Sequence, residues 1–475
     1  MLLTPAQRWF FEQQLADQHH FNQSVLVEVR PAEPCVFEEI VKHLLQHHDA
    51  LRLRFVYENG EWQPVFADNG DTVPFAVEDL SHCSAAEQRV RIEVSSSELQ
   101  VSLNLSDGPL MRAVVFNLGP GRPAVLLMVI HHLVVDGISW RILTEDFETA
   151  YRQLLDGRPI QLPAKTTSFS SWSRRMTEYA QSPEVQGEVA YWLDESRREV
   201  SPLPVDFVSA DNTVASANTI SVSLSTEETD ALLRDVPKAY NTQINDVLLT
   251  ALVLAFSNWT SAPSLMVDVE GHGRETIAGD VDVSRTVGWF TSLFPVRFEI
   301  PAGAEAAETL KSVKEQLRRV PNRGFGYGLL RYLNADRQVA AQLMSLPRAE
   351  VSFNYLGKFE RSEGNDSVIG ATLETSAPVR SPRQQLRYLL EINGSVSEGQ
   401  LRLSWIYSSN RYRSETIERL ANDFIETLRL LIDHCVNLED RGFTPSDFPE
   451  ADLSQTELDD LIASLNGAIS FQESM

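Results

Sequence analysis

Apolar and polar positions along this chain follow two periods and switch repeatedly between them. Val25 to Val29 alternate with period two, as a half-buried strand does. Phe37 to Leu45 repeat at helical spacing. Ala124 to Ile130 form an unbroken apolar run, the pattern of a strand buried on both faces. Ile142, Leu143, Phe147, Ala150, Tyr151, Leu154 and Leu155 then fall on one helix face. Asp156, Gly157 and Pro159 supply the stop. In the second half, Ile244 to Trp259 are apolar nearly all round, which predicts a buried helix. Leu265, Val267 and Val269 alternate as a strand ending at Glu270, and Val351, Phe353 and Tyr355 alternate as another. No segment repeats at solenoid spacing. The expectation is a mixed α/β (α+β) fold.

The pattern divides the chain. Residues 1–182 form a first mixed half. Residues 183–217, with Pro202, Pro204 and the polar run from Ser209 to Asn218, read as a connector. Residues 218–448 form a second mixed half, and 449–475 turn acidic and polar, like a tail or interdomain linker. Two lobes with a cleft between them are expected.

Composition narrows the function classes. The 475 residues include 66 acids against 41 bases, for a formal net charge of −25, which disfavours nucleic acid as a partner. No apolar run approaches the roughly 18 residues of a membrane span. The N-terminal stretch lacks the basic and apolar regions of a signal peptide, so the cytoplasm is the expected location. Cys35, Cys83 and Cys435 are far apart and form no CxxC pair, so neither a disulfide framework nor a cysteine zinc site is expected.

The chemistry concentrates in a few segments. His131-His132-Leu133-Val134-Val135-Asp136-Gly137 follows the buried run directly, placing two histidines where a strand emerges from a rigid core. Histidine suits proton transfer because its pKa lies near working pH. A second segment, Glu270 to Glu275 (EGHGRE), follows a strand and carries two glycines. Three more stand out: Arg285 to Thr291, Pro321 to Gly328, and Phe353 to Gly357. Each of these segments also reads as a structural turn. His131, His132, His272 and Glu270 are legitimate metal ligands, but adjacent histidines in extended chain point to opposite faces and no HExxH helix is present. No metal is expected. A GxSxG elbow, a P-loop and a dinucleotide fingerprint are absent from the sequence.

Together these segments resemble the condensation-domain superfamily of nonribosomal peptide synthetases. HHLVVDGISW matches its HHxxxDG signature, LTPAQRWFFEQ its N-terminal motif, and HHDALRLRF its second motif. VEGHGRE, RTVGWFTSLFPV, PNRGFGYG and FNYLG are similar to the epimerization branch, in the family's order, and TPSDFP resembles the end of such domains. The resemblance implies two chloramphenicol-acetyltransferase-like lobes in a V-shaped pseudo-dimer with an interlobe tunnel. It implies inversion of the α-carbon of an aminoacyl or peptidyl thioester. The partner would be a peptidyl carrier protein (thiolation domain), whose phosphopantetheine arm brings the substrate, with neighbouring synthetase domains alongside. No cofactor is implied for the domain itself. By resemblance His132 and Glu270 are the two proton carriers, and Tyr355 is a third catalytic candidate. His131, Asp136, Ser139, Arg285 and Asn354 are supporting candidates. Arg285 is the expected ion-pair partner of Asp136, and Trp140, Trp289 and Phe290 are expected in the core or tunnel wall. A condensation domain and an inactive carrier-binding scaffold are the alternatives. With no adenylation or carrier domain apparent, the chain is expected to derive from a larger synthetase or to act on a separate carrier.

Overall fold

The computed structural model describes residues 1–475 except 68–72, 209–210, 278, 280, 301–302, 304, 360–367, 439–441, 452 and 474–475. Two mixed sheets organise the chain. In the first, Asn22–Val29 and Met111–Asn117 flank Ala124–His131 antiparallel, and Phe75–Asp79 adds a parallel edge. Every residue of Ala124–His131 is buried, as its continuous apolar run requires. Helix Gly137–Leu155 follows, capped by the Asp136 carboxylate, and packs on helix Pro34–His47.

The second sheet has six strands, in the order Ala217–Ser223, Gln400–Ser408, Leu390–Ser397, Val351–Phe359, Ser264–Gly271, Ser292–Glu299. Val351–Phe359 runs parallel to both of its neighbours. Parallel strands need covered faces. Helix Ile244–Thr260 supplies part of that cover, with Val247 to Val253 and Phe256 buried and helix Ser414–Val436 packed against it.

The two sheets are not built from separate stretches of chain. Strand Ile369–Thr372 leaves the second half and pairs antiparallel with Asn22–Val29 at the edge of the first sheet. Just beyond it, Arg380 forms a backbone bridge with Phe21. One continuous apolar cluster runs from Phe10 and Ile130 to Phe353 and Trp405, so the halves share a core. Helix Gln455–Glu473 follows at the C-terminal end. Among the described residues no helix is long and apolar enough to cross a membrane.

Candidate active site

Strand alternation sets one wall of the site. In the second sheet Ser352 lies opposite Asp268 on one side and Glu391 on the other, and Asn354 lies opposite Asn393. These residues share one face, whereas Val269, Phe353 and Ile392 take the opposite parity and enter the core. Glu270 closes the polar row at the end of its strand, where Asn354 Nδ2 donates to Glu270 Oε2 at 2.7 Å. Asp268, Glu270, Ser352, Glu391 and Asn393 of this row line a cavity that is also lined by Phe21, His132, Trp289, Arg380 and Gln384. Residues of both halves of the chain therefore surround one space.

The first half contributes His132 through a single turn of 3-10 helix at the end of the buried strand. Its Nδ1 lies 2.8 Å from the Val135 carbonyl, which can only accept, so Nδ1 carries the proton. Its Nε2 lies 3.0 Å from the amide nitrogen of Gln23. Trp140 Nε1 donates to Gln23 Oε1 at 2.8 Å and so fixes which end of that amide faces the imidazole. His132 is thus a neutral imidazole with its Nε2 lone pair accepting. Burial pushes its pKa down to about 4, against smaller upward pulls from the Val135 carbonyl and Asp136, and Arg380 pushes it further down. The ring is stacked on Phe21 and tilted against Trp289, with centroids 5.5 and 4.3 Å away.

Glu270 is displaced in the opposite sense. Burial and then the neighbouring Glu391 push its pKa up to about 7, with Arg380 and the Asn354 amide opposing them. Near neutral pH the cavity therefore holds a neutral base on one side and a carboxyl close to half protonated on the other. Asp268, deeper in the same row, is also raised by burial, and it accepts from Tyr388 Oη at 2.8 Å.

The supporting residues form a clasp behind His132. Asp136 Oδ1 accepts from the Ser139 N–H at 2.7 Å and from Arg274 Nη2 at 3.1 Å; its Oδ2 accepts from the Phe290 N–H at 3.1 Å. Ser139 Oγ accepts from Arg274 Nη2 and from the Gly288 N–H, and donates to the Gly288 carbonyl. Arg274 Nη1 donates to the Val283 and Thr286 carbonyls, and its guanidinium lies 3.8 Å from the Phe290 ring centre. The clasp ties the loop after Glu270 to the helix after His132. His131 is buried with both ring nitrogens occupied: the Leu133 N–H donates to Nδ1, and Nε2 donates to the Gln18 carbonyl. Burial pushes its pKa down to about 3, so it stays neutral and orients the turn.

Two expectations change. The partner of Asp136 is Arg274, not Arg285. Arg285 reaches further along the same helix and pairs with Glu145 and Asp146, the latter also held by His48. Arg274 directly follows the turn at Gly273, φ +66°, and pairs with Asp136, whereas Arg285 lies eleven positions further on. Tyr355 does not join His132 and Glu270. It shares the parity of Phe353, packs partly buried against the core, and is not among the cavity-lining residues. Asn354, one position earlier, faces Glu270 instead. The metal-type donors His131, His132, His272 and Glu270 do not converge either, since both His131 nitrogens are engaged and His272 is exposed beside Glu275.

Gln23, Arg380 and Glu391, outside every motif, and Arg274, inside one but assigned no role, carry parts of the site, and Trp140, expected only as core or wall, orients Gln23. Arg274 stood inside the EGHGRE segment, where its neighbours drew the attention. Gln23 stood two positions before the predicted strand Val25 to Val29 and outside every motif, and nothing local marks Arg380 or Glu391.

The Condensation domain family model matches residues 1–454. A linear gramicidin synthase of Brevibacillus parabrevis is 46% identical over 459 residues, which is 96% of this chain and 6% of that protein. Surfactin synthase subunit 2 of Bacillus subtilis is 38% identical over 463 residues, covering 97% of this chain and 13% of that protein. The chain thus spans a small fraction of the length of these relatives. Among solved structures, the epimerization domain from the third module of tyrocidine synthetase B is similar with a TM-score of 0.86 and 38% identity, covering 93% of this chain and 97% of that one.

Proposed function

The chain belongs to the condensation-domain family, and from that premise we propose that its cavity inverts the α-carbon of an aminoacyl or peptidyl thioester carried on the phosphopantetheine arm of a carrier protein. The observation that carries the reading is the pairing of two proton carriers in complementary states, His132 and Glu270, in one cavity. Inversion requires a base on one face of the α-carbon and an acid on the other. Peptide-bond formation needs no such second carrier beside the histidine.

The steps follow from the groups. A thioester acidifies its α-proton because the carbanion delocalises as an enolate. For one substrate configuration, the C–H pair flows into the new C=C bond as His132 Nε2 takes the proton. Glu270, protonated, then returns a proton to the other face. The opposite configuration runs the same path backwards, with Glu270 as base. General acid–base assistance of this kind is typically worth about 10²- to 10⁴-fold per group. His131, Asp136, Ser139 and Arg274 touch no reacting atom in this scheme. They hold the His132 turn against the loop that follows Glu270.

In this reading residues 1–182 and 218–448 are two acetyltransferase-like lobes joined by 183–217, with 449–475 trailing towards a neighbouring synthetase domain. The carrier supplies the only prosthetic group involved, as part of the substrate.

The test is direct. The protein is incubated with an L-aminoacyl carrier in deuterated water, the thioester is hydrolysed, and the amino acid is separated by chiral chromatography. Appearance of the D form with deuterium at the α-carbon is the expected result. A peptide bond to a second loaded carrier, with configuration retained, would instead assign condensation. Neither product would leave a carrier-binding scaffold.

A further inference from the structure

Proton removal from the α-carbon leaves a negative charge on the thioester oxygen, and neither His132 nor Glu270 can neutralise it while moving protons. A preorganised donor aimed at that oxygen is the usual solution. Resting on the function proposed above, we infer that Arg380, held by Glu391, is that donor and hydrogen-bonds the developing enolate oxygen.

Arg380 is placed by the crossover between the halves. The Asn22 N–H donates to the Val379 carbonyl and the Ser381 N–H to the His20 carbonyl, while the His132 N–H donates to the Phe21 carbonyl. The Phe21 backbone is therefore bridged to Arg380 and bonded to His132 at once. The Arg380 guanidinium lies 5.4 Å from the Phe21 ring, which stacks on the His132 imidazole. On its other side, Nη1 donates to both Glu391 oxygens, at 3.2 and 3.1 Å. Glu391 is one-tenth exposed and belongs to the same polar row as Asp268 and Ser352.

This anchoring leaves a working edge. Among the described residues, the Nε and Nη2 donors of Arg380 have no protein hydrogen-bond partner, and a third of the side chain remains accessible at the cavity. The charge of Arg380 also acts on both proton carriers, disfavouring the charged form of His132 and favouring that of Glu270. Arg380 lines the same cavity as both carriers, so its open edge faces the space in which a substrate reached by both would sit. A guanidinium keeps its protons at any working pH, so its role is to stabilise charge, not to transfer a proton. Held by Glu391 on one side, it offers donors to the cavity as charge develops.

The test uses the full chain with carriers loaded with L-phenylalanine, L-leucine or L-valine, and reads α-proton exchange into deuterated water by single-turnover mass spectrometry, with kcat and KM measured separately. R380Q is expected to lower kcat for exchange by about 10²- to 10³-fold, the usual effect of removing one oxyanion donor, with KM nearly unchanged. The double variant R380Q/E391Q removes the pair without leaving an unpaired charge, so it guards against loss by misfolding. It is expected to be as slow as R380Q. R380K should recover part of the rate, because an ammonium keeps the charge but not the fork. Exchange in R380Q/E391Q within about threefold of the parent chain would overturn the inference, as would a loss confined to KM. Those outcomes leave the epimerization reading standing. Absence of exchange in the unsubstituted protein would overturn that reading and this inference with it.

Discussion

At the scale of single residues, the two proposed proton carriers are distinguished by what burial does to each. Burial removes the charged form of both, but His132 is neutral when deprotonated and Glu270 when protonated. One environment therefore prepares a base and an acid. His132→Ala and Glu270→Gln are each expected to lower inversion by about 10²- to 10⁴-fold, with circular dichroism spectra unchanged. If the carriers act independently, one of the two variants will still exchange the α-proton without inverting it, which identifies the face each serves. The pH dependence follows from the same shifts. In the direction that uses His132 as base, the rate should fall as pH drops through about 4, where the imidazole protonates. It should also fall as pH rises through about 7, where Glu270 loses its proton. The alkaline limb should be missing in Glu270→Gln, and a limb that persists there would assign it to another group. Stability responds separately. His131 and His132 have folded pKa values below their unfolded value, so the unfolded chain binds more protons and acid destabilises the fold from about pH 6.5 down towards 3. Glu270, shifted upward, works in the opposite sense, and its contribution declines as pH rises from about 4.5 to 7.

At the scale of elements, the decisive feature is the clasp between the helix after His132 and the loop after Glu270. Asp136 and Arg274 are each 7% exposed, so this is a buried pair, and the carboxylate accepts from Ser139, Arg274 and Phe290. Removing one partner of such a pair typically costs about 3–5 kcal/mol. Asp136→Ala should therefore lower the urea midpoint markedly, whereas His132→Ala should leave it close to the parent value. Equal midpoints would show that the clasp contributes little. The loop itself depends on Gly273. Its positive φ is strained for other residues, and an added Cβ would collide with the Phe290 carbonyl. Gly273→Ala is expected to lose both stability and inversion, because the shift moves Arg274 and Phe290 together. An inversion rate unchanged in that variant would separate the loop from the site.

At the scale of the whole molecule, the proposed function requires a surface of net charge −25 to meet a carrier protein, a class of partner that is commonly acidic too. Long-range attraction then does not steer the encounter, and a local patch near the mouth of the cavity has to do so. Added salt should weaken carrier binding only modestly, or strengthen it by screening the net repulsion. Titration calorimetry across salt concentrations checks this, and affinity that collapses steeply with salt would contradict it. Free amino acids should be very poor substrates, because a carboxylate opposes carbanion formation beside it and offers no pantetheine arm to position. Chiral chromatography after incubation with free L-amino acids tests that directly, and racemisation at rates comparable to the carrier-bound form would refute it.

The sequence by itself determined the elements that build the site. Periods of two and 3.6 residues predict the strands and helices around His132 and Glu270, because alternation and helical spacing are local consequences of which faces are buried. Alternation even carried the placement of Tyr355: Val351, Phe353 and Tyr355 share one face, so Asn354 had to lie on the other. Only the tertiary structure decided which arginine reaches Asp136, since Arg274 and Arg285 both follow the strand and both pair with carboxylates at or beyond the start of the same helix. The same holds for Gln23, Arg380 and Glu391. Gln23 meets His132 and Trp140 from more than a hundred positions away within the first half, and Arg380, paired with Glu391 eleven positions on, reaches Phe21 only because the second half crosses over to pair with the first. Local periodicity reports the face a residue turns, and says nothing of which distant segment that face will meet.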